Sequence, residues 1–172
     1  MAWGLGRWLD LSPVERLQFH PEAVAVGVAA TLPMLLGLAW TLTTRWEPAR
    51  QLVDLVVEQL GPLLAGRSAL QLALLAALAG IGEELLFRGV LQVGLARVLP
   101  DAGALVAASA LFGLVHFVSP AYVLLAGVVG LYLGGLFLFQ GNLLVPIIAH
   151  ALYDFVALIY VTRRYNTSFK QA

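Results

Sequence analysis

Long apolar runs alternate with short polar segments along this chain, and the runs have the length that a lipid bilayer demands. Residues 23–44 carry no charge. As a helix rising 1.5 Å per residue they would span about 33 Å, enough to cross a hydrocarbon core. Trp40 and Trp46 fall near one end of this first span, where aromatic rings settle at the membrane interface. Residues 68–98, 102–118, 121–139 and 143–161 predict four further apolar helices. Pro100, Asp101 and Gly103, then Ser119 and Pro120, then Gln140, Gly141 and Asn142 mark the turns between them. Gly127, Gly130 and Gly134 form a small-residue ridge on which another helix can pack closely. Residues 45–67 differ. Leu52, Val53, Val56, Val57, Leu60, Leu63 and Leu64 recur at helical spacing, while Asp54 and Glu58 mark a polar face. That pattern predicts an amphipathic helix lying on the membrane or covering the bundle. The fold class read from the pattern is all-α: a polytopic membrane bundle of about five transmembrane helices plus one interfacial amphipathic helix.

Composition sharpens this picture. AVILMFWYC residues make up 60% of the 172 residues and charged residues 12%, with a mean hydropathy of +0.88. Ten basic residues balance ten acidic ones, which leaves no surplus for a polyanion and argues against nucleic-acid binding. Without a cysteine the chain has no disulfide, cysteine-ligated metal or thiol nucleophile. Residues 1–22, with Trp3, Trp8 and Phe19 among Arg7, Asp10, Glu15 and Arg16, read as an interfacial leader, since no short apolar stretch with a cleavage site follows the first basic residue. Five spans put the two ends on opposite sides. Arg7, Arg16 and Arg97 collect on one side, against Arg45, Arg50, Arg67, Arg163, Arg164 and Lys170 on the other. The excess predicts a cytoplasmic C-terminus, with the plasma membrane as the expected location. The expected organisation is an N-terminal region over 1–67, a four-helix core over 68–162 and a basic tail over 163–172.

Charge inside an apolar helix is costly, so the places where it occurs are functional candidates. The second span holds Glu83, Glu84 and Arg88 between Gly82 and Gly89. Glu84 and Arg88, four apart, can pair on one helix face and fix packing, whereas Glu83 lies about 100° away and needs another partner. Two adjacent carboxylates with one nearby cation do not both ionise easily, which suits one of them to proton transfer. The third span holds Phe112 and His116, and the fifth holds His150 and Asp154. Phe112 sits one turn before His116, where it can hold the ring. Asp154 sits one turn after His150, where it can orient the imidazole or act beside it. His20, outside the apolar spans, reads as interfacial.

These three strings together, Glu-Glu-x-x-x-Arg, Phe-x-x-x-His and His-x-x-x-Asp, resemble in kind and order those of the CPBP family of intramembrane glutamic endopeptidases. That family includes the Rce1-type CAAX prenyl proteases and the bacterial Abi-like proteins. The resemblance covers about residues 68–162. It implies a catalytic core there and an endopeptidase acting on a membrane-anchored peptide or protein, with no cofactor and no metal. It also implies that Glu83 activates a water, that His116 holds and polarises it, and that His150 with Asp154 stabilises the oxyanion, Glu84, Arg88 and Phe112 supporting them. An ionised carboxylate cannot donate to an oxyanion, so Asp154 either carries a proton or serves by orienting His150. One span precedes the core, which makes this a short member.

Other readings of the same letters remain. His116, His150 and Glu83 could form a two-histidine, one-carboxylate metal site. A catalytically silent scaffold or bacteriocin-immunity-like protein would keep the same fold. A proton-coupled transporter would show symmetric halves and broken helices, and neither is visible. Tyr153-Asp154 resembles half of an aspartyl protease pair, but no Gly-x-Gly-Asp follows; Ser109 lacks a Gly-x-Ser setting. A geometric tension also stands: Glu83 lies deep in its helix, while His116 lies close to the Ser119-Pro120 turn. The two meet if the third helix is short and that turn is recessed below the membrane surface.

Overall fold

The computed structural model describes residues 4, 6, 7 and 9–169, all of its regular structure helical. Trp3 and Trp8 of the leader and Lys170 of the basic end lie outside the described residues. A 3-10 turn, Pro13–Arg16, precedes α1 (Pro21–Thr43), α2 (Glu47–Leu64) and α3 (Ala69–Leu86). The last continues without a break through a π-helical stretch, Phe87–Gln92, into Val93–Leu95, so that α3 as a whole runs over Ala69–Leu95. Then come α4 (Asp101–Val115), α5 (Pro120–Gln140) and α6 (Leu144–Phe169).

Local chemistry sets these boundaries. His20 Nδ1 accepts from the Ala23 amide and Pro21 opens α1, so a side chain satisfies one of the amides that every helix start leaves unpaired. Ser68 and Gln71 form a reciprocal capping box at the start of α3. Ser119 caps α5 through the Tyr122 amide, with Pro120 in the first turn. Gly141, at φ 63°, ends α5 in the left-handed conformation that glycine adopts without strain.

Four helices are long and apolar enough to cross a membrane: Pro21–Thr43, Ala69–Leu95, Pro120–Gln140 and Leu144–Ser168. Their outward faces are apolar, with Leu36, Leu70, Leu78 and Leu124 exposed, as lipid contact requires and water would not tolerate over so large an area. The protein is an integral membrane protein. The count of five spans is corrected at α4, whose 15 residues reach about 22 Å, short of a hydrocarbon core of about 30 Å. α4 stops at Val115 because His116 leaves helical geometry and Pro120 begins the next helix. At that point His116 meets Glu83, in the middle of α3. The early end of α4 thus lets His116 reach Glu83, which resolves the tension between the two residues.

α6 is the centre of the bundle and packs on α1, α2, α3 and α5. α3 runs antiparallel to it, Gly80 lying against Ile147 and Ala151 and Gly89 against Leu143. α4 lies antiparallel on α5 with its Gly113 over the Val123 carbonyl, while Ser109 and Phe112 sit on Gly130 and Leu105 on Gly134. The glycine ridge of α5 is thus a helix contact, as its spacing predicts. α2 covers the bundle: Val57 and Leu64 join Leu72 of α3 and Val161 of α6, and Asp54 pairs with Arg164 at 2.6 Å. α6 runs to Phe169, beyond the predicted residue 161, so Arg163 and Arg164 stand on its last turns. Trp40 and Trp46 meet at this same end, their rings tilted by 40° with centroids 6.2 Å apart. At the opposite end Asn142 exchanges two hydrogen bonds with Gln18, and Arg97 donates to the carbonyls of Leu9 and Asp10. The leader is thereby tied across the ends of α3 and α5.

A methyl group at Gly113 would stand 2.5 Å from the Val123 carbonyl oxygen. Gly113→Ala should therefore force α4 from α5 and cost about 1 to 3 kcal/mol, the usual range for overpacking. Thermal unfolding in detergent, compared with a Gly82→Ala control whose added methyl meets nothing within 4 Å, checks this.

Candidate active site

Midway along the bundle, where a bilayer core offers no water to solvate charge, the polar residues of three helices converge. The two carboxylates of α3 point to different neighbours, as adjacent helical positions must. Glu84 is fully buried, and its Oε1 accepts from Arg88 Nη1 at 2.8 Å and faces His150 Nδ1 at 2.8 Å. Arg88, 1% exposed, also donates from Nη2 to the Gly130 carbonyl of α5 at 2.8 Å. Paired and hydrogen-bonded in this way, the two charges meet the conditions under which a buried ion pair is tolerated. Both donors fall on one oxygen, and Glu84 Oε2 has no hydrogen-bond partner among the described residues.

Glu83 turns the other way. Its Oε2 lies 3.4 Å from His116 Nε2 and 3.9 Å from His150 Nε2. His116 is held through Nδ1, 2.7 Å from the Phe112 carbonyl, and by the Phe112 ring at 4.4 Å between centroids. Phe112 also meets His150 edge-on at 5.9 Å and lies 4.7 Å beneath the Arg88 guanidinium, close enough for a cation–π contact. His150 is directed by its Nδ1 contact with Glu84, so its Nε2 faces Glu83 and Asp154, the latter at 3.4 Å.

The seven residues of the three charged strings thus belong to one cluster: Glu83, Glu84 and Arg88 from α3, Phe112 and His116 from the end of α4, and His150 and Asp154 from α6. The cluster has two layers. Glu84, Arg88 and His150 are almost fully buried, whereas Glu83, His116 and Asp154 keep 28 to 30% of their side chains exposed. The inner layer can hold geometry, and the outer one can meet a substrate and water. Glu83 Oε2 is buried and makes no hydrogen bond among the described residues, and it stands between two imidazoles, 3.4 Å from one and 3.9 Å from the other. A group so placed can accept a proton from a third molecule. Among the described residues no set of three or more histidine, aspartate or glutamate side chains is disposed to hold a metal ion.

Sequence reasoning assigned Glu84 to Arg88 and missed its contact with His150, 66 residues away. It also missed the Gly130 carbonyl and Gln92, which is buried and donates to the Gly134 carbonyl at 3.2 Å. The only available sequence hint was spacing: Arg88 and Gln92 are four apart, as are Gly130 and Gly134. Of the two glycines flanking the acidic pair, Gly82 faces open space, and Gly89 is covered by Pro13 of the leader and by Leu143.

The model of the type II CAAX prenyl endopeptidase Rce1-like family matches residues 65–156, just over half of the chain. The chain belongs to that family, which is a family of membrane proteases. No curated protein and no solved structure shows significant similarity to it.

Removing Arg88 would leave Glu84 buried without its cation, a loss of about 3 to 5 kcal/mol in well-buried pairs. Arg88→Ala should therefore lower the yield of folded, detergent-stable protein, read as the monodisperse fraction on size exclusion. Glu83→Gln, on the half-exposed layer, should leave that yield at the wild-type level.

Proposed function

We propose that the cluster hydrolyses a peptide bond of a membrane-associated substrate by direct attack of water, with Glu83 as the general base. The observation that carries this reading is Glu83 Oε2, buried and without a hydrogen bond among the described residues, 3.4 Å from His116 Nε2 and 3.9 Å from His150 Nε2, on a side chain that is itself 30% exposed. A water seated against that oxygen and His116 gives its proton to Glu83 as its own oxygen bonds to the scissile carbonyl carbon. The carbonyl π electrons move to oxygen, and His150, protonated on both nitrogens with its Nδ1–H held by Glu84, donates its Nε2–H, with Asp154, to the oxyanion. As the C–N bond breaks, Glu83 passes the proton to the departing nitrogen, leaving an acid and an amine. Base and oxyanion donors each lower the barrier by acting on charge that develops in the transition state.

Asp154 acts in this scheme as a donor beside the reacting carbonyl. Orientation of His150 is already supplied by Glu84 at the other ring nitrogen, at 2.8 Å against 3.4 Å for Asp154. A second orienting carboxylate is therefore redundant. The substrate class is a membrane-anchored peptide or protein, because the cluster lies at mid-height of a membrane bundle. The bundle end carrying Arg45, Arg50, Arg67, Arg163 and Arg164 faces the cytoplasm, opposite Arg7, Arg16 and Arg97, with the plasma membrane as the location.

Purified protein incubated with a library of membrane-anchored peptides should release products, and exhaustive chelation should not change the rate. Glu83→Gln keeps size and polarity but cannot take the proton, so cleavage should fall by about 10²- to 10⁴-fold. Wild-type turnover in this variant removes Glu83 from the mechanism. A cellular phenotype supported equally by both proteins, without cleavage by either, favours a scaffold. Rate lost on chelation and restored by zinc favours a metalloprotease.

Asp154→Asn should retain activity within about tenfold of wild type, since the amide supplies an N–H donor in the same place. A fall of about 10⁴-fold, the size of a wrong-tautomer defect in a hydrolytic triad, would instead make Asp154 the group that governs the His150 ring. Steady-state cleavage by the two proteins decides between these outcomes.

A further inference from the structure

Beyond the cluster, α3 and α5 are joined by a second polar contact of the same kind. Arg88 and Gln92, 1% and 2% exposed, stand four residues apart and donate to Gly130 and Gly134, also four apart. The π-helical stretch Phe87–Gln92 makes this pairing possible. Upstream of it α3 faces α6, with Gly80 on Ala151 and Glu84 on His150. Within it four consecutive residues, Phe87, Arg88, Gly89 and Val90, are buried, and Arg88 and Gln92 face α5. A wider turn takes up the extra residue that this change of face requires. The glycine at 134 is equally specific, since a methyl group there would stand 2.7 Å from Gln92 Oε1 and 2.5 Å from Leu105. Gln92 is therefore lodged against the backbone of α5 with its amide donor bonded.

We propose that Gln92 is a positioning residue for His150, acting through the register of α5 on α3. The chain of contacts is continuous. Gln92 fixes Gly134, one helical turn sets the Gly130 carbonyl, that carbonyl holds Arg88 Nη2, Arg88 Nη1 holds Glu84 Oε1, and Glu84 directs His150. Loss of the outer contact lets α5 slide, and the error reaches the histidine that faces the scissile carbonyl. Misplacements of about 1 Å cost up to about 10²-fold in rate. This deepens the proteolytic reading and rests on it for its kinetic part. The positioning itself is readable without turnover.

The test uses Gln92→Met, which keeps length and volume and removes the donor, and Gly134→Ala, which keeps the amide and displaces it. Histidine-selective 15N NMR of the full chain in nanodiscs resolves three imidazoles, assigned by single substitutions at His20, His116 and His150. In both variants the 15N shifts and pH titration of His150 should change while those of His20 do not. The kcat for cleavage should fall roughly 10- to 100-fold, with KM within about twofold. His150 resonances and kcat at wild-type values in Gln92→Met, with lowered thermal stability, would overturn the proposal and make Gln92 a packing residue. Should one variant fail to fold, the other carries the same comparison. Altered His150 resonances without cleavage by any form, wild type included, would uphold the positioning and sink the proteolytic reading.

Discussion

One carboxylate oxygen, Glu84 Oε1, receives both the Arg88 guanidinium and the His150 imidazole at 2.8 Å, and the bundle is arranged so that it can. A charge at this depth is tolerated when paired and hydrogen-bonded, and the groups that satisfy it come from three helices. α3 supplies Glu84 and Arg88, α6 supplies His150, and α5 supplies the Gly130 carbonyl. Each of those helices must approach closely, which accounts for glycine where α3 meets α6, at Gly80, and where α5 meets α4 and Arg88, at Gly130. Burial of the polar centre and the small residues around it are therefore one design requirement seen from two sides.

The same interaction divides the site into a fixed layer and a reactive layer. Glu84, Arg88 and His150 have almost no exposed surface, so their geometry is held by packing and mutual bonds. Glu83, His116 and Asp154 lie above them, partly open, with His116 braced by Phe112. Preorganised donors and an available base are what the proposed amide hydrolysis by direct attack of water demands. α4 serves this division by being short. Its end at Val115 delivers His116 to the mid-height of α3 instead of carrying it to the far surface.

Much of this was legible in the chain itself, because bilayer thickness and helical rise constrain the pattern so strongly. The uncharged stretch before Thr44 forecast a helix long enough to cross a membrane, and the glycine ridge of α5 forecast the helix contact observed there. The three charged strings identified every side chain of the cluster, since an ionisable group in an apolar helix has few inexpensive explanations. What escaped was pairwise geometry across helices. The contact between Glu84 and His150 spans 66 residues, and spacing within one helix cannot reveal which carboxylate of an adjacent pair turns to which neighbour. The π-helical turn at Phe87–Gln92 was hidden as well, because nothing in its residues marks a wider turn, which shows only in the face it buries. The length of α6 was underestimated because Arg163 and Arg164 read as a basic stop, whereas the helix continues to Phe169 and Arg164 pairs with Asp54 of α2.

The central claim is that Glu84 joins Arg88 and His150 into one unit. Its most direct test is the coupling free energy between Glu84 and His150, obtained from the unfolding free energies of wild type, Glu84→Gln, His150→Gln and the double variant in bicelles. Residues in direct contact within a polar network couple by about 0.5 to 3 kcal/mol, and a buried pair bonded at 2.8 Å should fall in the upper half of that range. Additive effects, with coupling below about 0.3 kcal/mol, would mean that the two side chains do not act on one another, and the account of the site built on their contact would be wrong.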